Sequence, residues 1–102
     1  MKLSYDFFNE LFFLQRMRHE AWACRVNHLK AAHDIWKQFS HDPQIHFLEK
    51  DLIDTIFGAI AEKILQVYDT QNFSDAAFSD VTELIIALER VMLDMFQRLK
   101  WN

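Results

Sequence analysis

Five histidines and one cysteine are the residues of this chain best equipped for chemistry. Imidazoles ligate metals and haem, and a thiolate attacks or coordinates. Spacing decides which of these uses is open. His28 and His33 are five residues apart, which sets them about 140° apart around a helix and off a common ligand face. His41 and His46, flanking the one proline, are also five apart. No Glu-x-x-His occurs, so the di-iron pattern of helical bundles is missing, and no His-Glu-x-x-His occurs either. A single thiol excludes an intramolecular disulfide framework and any zinc site built on two thiolates, and it fits a reducing compartment. A haem whose ligands come from separate helices is the one alternative that spacing does not address. No cofactor and no metal are expected.

Nucleophilic chemistry finds equally little support. Cys24 falls between Ala21 and Ala31 on an apolar seam, where a thiol behaves as a small core hydrophobe. No basic helix terminus is legible there to favour its thiolate. In the run Asn27-His28-Leu29-Lys30, the lysine follows the histidine one residue too early for the His-x-x-Lys-Gly pattern of histidine-phosphotransfer domains, and no glycine follows. Gly58 is the only glycine, so a glycine-rich phosphate loop is impossible. The chain is expected not to be an enzyme, with no catalytic residue to name. A small enzyme or cofactor carrier is kept as a third reading, behind the two below.

Binding is better represented. Residues 1–40 carry six basic and four acidic residues, and residues 41–102 carry five basic and eleven acidic. The basic excess of the first part is too small for a nucleic-acid face. Asp51, Asp54, Glu62 and Asp69 recur on one face of a helical pattern, and Asp80 and Glu83 add charge on the next. Such a surface steers onto a basic partner protein, or else simply keeps a solvated face soluble. Aromatic residues are in surplus: Phe8, Phe12, Phe13, Trp22 and Trp36 exceed what one helical stripe buries, and they are candidate anchors for a partner or for a second copy.

The elements that hold these residues are helical. The 102 residues are 51% hydrophobic and 25% charged, with one Gly and one Pro. That excludes disorder and turn-dense all-β architectures and bounds the chain to one domain, 1–102. Segment one starts at Ser4, a good N-cap, with Leu3 stapling to Phe8. Its seam is Phe7, Leu11, Leu14, Met17, Ala21, Cys24, His28, Ala31, Ile35 and Phe39. Asp42-Pro43 signals the start of segment two, which runs to about Thr70 with a wide apolar face that includes Leu48, Leu52 and Tyr68. Ser74 caps segment three, with Phe73 stapling to Phe78, and the helix continues to about Lys100.

The predicted fold is therefore all-α, an antiparallel bundle of three long helices, or four if helix one breaks. An unbroken first helix would be about 52 Å long, against a radius of gyration of about 13 Å for a compact chain of this size. It must bend, near Arg18-His19 or Asn27, or overhang. Apolar runs such as Leu11–Leu14 are far short of a membrane span. Asp6, Glu10, Arg16, Arg18 and Glu20 interrupt any leader-like reading of the N-terminus, so a cytoplasmic location is expected. The expected function is a non-catalytic protein-binding module, an acidic inhibitor of the immunity or antitoxin kind that blocks a basic protein. The alternative is a homodimeric scaffold joined through the Phe-rich end of helix one.

Overall fold

The computed structural model describes residues 2–99, and the side chains of residues 7–38 and 40–98. Its elements are α1 (Lys2–His19), α2 (Trp22–Phe39), α3 (Phe47–Thr70) and α4 (Asp75–Leu99). Helix one does break, giving the four-helix version of the bundle. The side chains of Leu3, Ser4, Phe39 and Leu99 and the whole of Lys100, which carry cap, staple, seam and end positions in the sequence, lie outside the described residues.

The break falls at Glu20-Ala21, with no glycine or proline to mark it. Ala21 is extended (φ −63°, ψ 161°), and its carbonyl accepts from the Cys24 and Arg25 amides to start α2. The Arg25 side chain holds the corner from the other side. Its Nε donates to the Glu20 carbonyl at 3.1 Å and an Nη to the Arg18 carbonyl at 2.9 Å, so the last carbonyls of α1 gain donors that the helix cannot supply. Crossing this corner shifts the buried seam by one residue. Phe7, Leu14 and Met17 are buried on α1, but on α2 the buried line is Arg25, Ala32 and Trp36, with Trp22 and Leu29 partly covered. Ala21 and Cys24 are turned outward.

Segment two also starts later than Asp42-Pro43 suggests. Asp42 Oδ1 accepts from the Gln44 amide at 2.8 Å and the Asp42 carbonyl from Ile45, so the motif closes a turn rather than a helix. The turn sends Ile45 into the core. The chain then restarts at His46, whose Nδ1 accepts from the Leu48 amide as the N-cap of α3. At the far end, Gln71 adopts the left-handed conformation (φ 53°) and the Asn72 amide bonds the Val67 carbonyl, a Schellman-type stop made without glycine. Ser74 caps α4 as the sequence predicts, its Oγ accepting from the Ala77 amide. Phe73 and Phe78 both lie edge-on to Trp22.

Each neighbouring pair runs antiparallel. Phe13 meets His28 between α1 and α2, and His33 meets Phe57 between α2 and α3. Lys63 meets Asp80 between α3 and α4, and Phe7 stacks on Phe96 between α4 and α1. Backbone contacts follow the ring α1–α2–α3–α4–α1, and α2 and α3 touch least. The buried faces of α3 (Ile53, Phe57, Ile60, Ile64) and α4 (Val81, Ile85, Leu88, Met92, Met95) close the core against those of α1 and α2. The molecule measures 43 × 22 × 19 Å with a radius of gyration of 13.8 Å. No described helix is long and apolar enough to cross a membrane.

Candidate protein-docking surface

The residues suited to chemistry are scattered. Cys24 is exposed rather than in the core, because the break rotates α2 away from the first seam. The rings of His28 and His33 rest against Phe13 and Phe57, His46 caps α3, and His41 is exposed. Among the described residues, no three of His, Cys, Asp or Glu are grouped to hold a metal ion.

The acidic residues divide into paired and unpaired. Asp54 is engaged twice: Oδ1 accepts from Trp36 Nε1 at 2.7 Å, and Oδ2 meets Lys50 Nζ at 3.2 Å. Asp80 is bridged by Lys63 at 3.4 Å. Asp51, Glu62 and Asp69 are exposed and make no ion pair among the described residues. Their spacings of eleven and seven residues stack them on one line along α3, within about 40° of Gly58 around the helix axis. Glu83 is exposed on α4, on the side of the helix turned away from the core.

Beside this line lies an open groove between α2 and α3. The Trp36–Asp54 bond and the His33–Phe57 ring contact at 4.8 Å clasp the two helices. Past the clasp, two adjoining hollows of about 300 and 370 Å³ share Val26, Leu29 and Ala61 in their walls. Gly58 and Lys30 border the first hollow, and Leu65 and Tyr68 the second. Val26 (41% exposed), Leu65 (64%) and Tyr68 (40%) leave apolar surface in water there. Leu65 was the signal available in the sequence. It is an apolar residue about 40–60° around the helix from Asp51, Glu62 and Asp69, at the edge of a stripe that mere solvation would make polar.

The aromatic candidates separate in the same way. Phe8 (58% exposed) and Phe12 (54%) stand out from α1, Phe8 lying against Phe96 at 5.5 Å and Phe12 under the Arg16 guanidinium. Phe13 and Trp22 are half-buried among ring partners. Trp36 is completely buried, so it is a core residue in this fold and not a surface anchor. Sequence patterning gave no hint of the exposure of Phe47 and Leu48, which follow the late start of α3.

Two buried charged groups were not foreseen either. Glu10 sits wholly inside the bundle, and neither carboxylate oxygen has a hydrogen-bond partner. Burial pushes its carboxyl up to about 9, with the Trp36 backbone pulling more weakly the other way. Arg25 is equally buried, and desolvation lowers its guanidinium to about 10, which leaves it charged at neutral pH. Besides the two carbonyls of the corner it donates to Thr82 Oγ1 at 3.3 Å, and its guanidinium lies 3.6 Å from the Phe78 ring centroid. Both groups lie beneath the surface, Arg25 tying the corner together.

Compared with family models, curated proteins and solved structures, the chain matches none.

Proposed function

We propose that this chain is a non-catalytic protein-binding module that captures and blocks a basic partner protein, an inhibitor of the immunity or antitoxin kind. The observation that carries the reading is the line of unpaired carboxylates, Asp51, Glu62 and Asp69, running beside an open apolar groove. Charge of one sign raises the encounter rate with a basic surface, and the apolar floor supplies the area that holds it. Glu83, exposed and without an ion pair among the described residues, adds negative charge on α4, where Asp80 is bridged by Lys63. The reading is a cytoplasmic one, because an exposed thiol such as Cys24 persists best where thiols stay reduced.

The test is isolation of the tagged chain from its native cells at low salt, with mass spectrometry and light scattering of what accompanies it. A basic protein at fixed stoichiometry, released by high salt, is the expected result. The absence of any heterologous partner contradicts it.

The exposure of Phe8 and Phe12 favours a second reading, a homodimeric scaffold joined through α1. In that case the purified chain is a dimer, and Phe8→Asp or Phe12→Asp disperses it without unfolding. A wild type that stays monomeric at high concentration removes this reading.

A further inference from the structure

Gly58 lies inside a 24-residue helix, where glycine costs about 1 kcal/mol relative to alanine. Nothing in the fold requires it. No atom stands within 4 Å of where its Cβ would be, and its backbone conformation is one any residue adopts. Gly58 and Ala61 instead leave α3 smooth at the wall of the α2–α3 groove. Small residues at such a position let a second helix come to the short end of the usual 8–10 Å interaxial range. Around this smooth stretch the groove exposes Val26, Leu65 and Tyr68, the anchoring surface that a helix laid in a groove uses.

The two sides of the groove differ in charge. Asp51, Glu62 and Asp69 run along α3 beside Gly58, on the solvent side of the groove and without ion pairs, over about 27 Å of helix. The α2 side carries Lys30, exposed and likewise without an ion pair among the described residues. A complementary occupant has basic residues along one flank only, and that asymmetry fixes which way round it lies.

Resting on the reading that the chain captures a basic protein, we propose that the α2–α3 groove receives one amphipathic helix of that partner. Its apolar face covers Gly58 and Ala61, and its Lys/Arg flank lies over Asp51, Glu62 and Asp69. The occupant is a helix of about five turns, matched to the length of the acidic line.

The experiment uses the full chain and two synthetic 18-residue amphipathic helices. Both carry a leucine stripe; one has lysines along a single flank and its twin has glutamates there. Titrations at low salt are followed by amide chemical shifts. The lysine peptide is expected to bind at least about tenfold tighter than its twin, with shifts centred on Val26, Leu29, Ala61 and Leu65. Gly58→Phe, whose Cβ would meet nothing within 4 Å, places a ring at the first hollow and is expected to weaken the lysine peptide by about tenfold or more. Leu65→Asp, at an exposed position, serves the same purpose should Gly58→Phe fail to fold. The triple variant Asp51→Asn, Glu62→Gln, Asp69→Asn is expected to erase the preference between the peptides. Equal binding of the two peptides, shifts centred on α1 and α4, or full binding by both groove variants overturns the proposal. Capture of a basic cellular protein that survives Gly58→Phe and Leu65→Asp but not the acidic triple variant removes the groove helix while the binding-module reading stands.

Discussion

Glu10 is the residue whose environment most contradicts its chemistry. A carboxylate without a hydrogen bond cannot stay ionised inside an apolar bundle, so burial holds its pKa near 9, against an ordinary value of 4.5. The folded chain therefore keeps a proton that the unfolded chain releases. Folding stability from this group is fully present below about pH 4.5 and is lost as pH rises towards 9. At pH 7 the loss is roughly 3 kcal/mol, from about 1.4 kcal/mol per unit over the part of that window already crossed. Glu89, also raised by burial, adds in the same direction. Thermal unfolding across pH 5 to 8 is the measurement: the wild type is expected to lose stability as pH rises, and Glu10→Gln to flatten most of that slope. Arg25 contrasts with it, a buried charge whose Nε and one Nη find acceptors while the other Nη has none. Arg25→Ala removes donors from the Arg18 and Glu20 carbonyls and empties the space over Phe78. Denaturant unfolding is expected to show a loss of about 3 kcal/mol. Neither residue was legible in the sequence, because a lone Glu or Arg among apolar neighbours reads as an irregularity of the pattern until a fold surrounds it.

At the scale of the elements, what could be read from the sequence was whatever rests on local chemistry. The Ser74 cap is local, and it stands where its sequence sets it. The Asp42-Pro43 signal is local too, but the same hydrogen bonds close either a helix or a turn, and burial of Ile45 selects the turn. The corner at Glu20-Ala21 is not local. It depends on Arg25, five residues on, and on Trp22 packing against Phe73 and Phe78 more than fifty residues away. Its trace in the sequence is the second apolar line through Trp22, Leu29 and Trp36, which competes with the seam through Ala21, Cys24 and His28. The first seam is covered up to Met17 and the second from Trp22 onward, except at Val26, which also belongs to that line and is exposed. Gly58 is an element-scale liability with no internal compensation. Gly58→Ala is expected to raise folding stability by about 1 kcal/mol in denaturant unfolding, since the new methyl meets nothing. A loss of stability instead would mean that the α2–α3 spacing is closer than described.

At the scale of the whole molecule, the groove and the Phe8–Phe12 patch are apolar surfaces on different sides of the bundle. The groove belongs to α2 and α3, whereas Phe8 and Phe12 stand on α1, with Phe8 against α4. The groove is flanked on α3 by the unpaired Asp51, Glu62 and Asp69 and bordered on α2 by Lys30. The two surfaces are expected to act independently, so Phe8→Asp should leave capture of a basic partner unchanged while dispersing any self-association, as light scattering would show. The candidate acidic face was legible in sequence as a stripe, but not its division. Asp54 is tied to Trp36 and Lys50, and Asp80 to Lys63, by contacts between helices or between turns, which leaves Asp51, Glu62 and Asp69 as the unpaired line. The most direct measurement isolates wild type and the Asp51→Asn, Glu62→Gln, Asp69→Asn variant side by side from native cells, and weighs each at low and high salt. A basic partner held at fixed stoichiometry by the wild type, shed in high salt and missing from the variant, is the expected result. The same mass for both proteins at both salt concentrations would contradict the claim that this acid-lined groove is a capture surface.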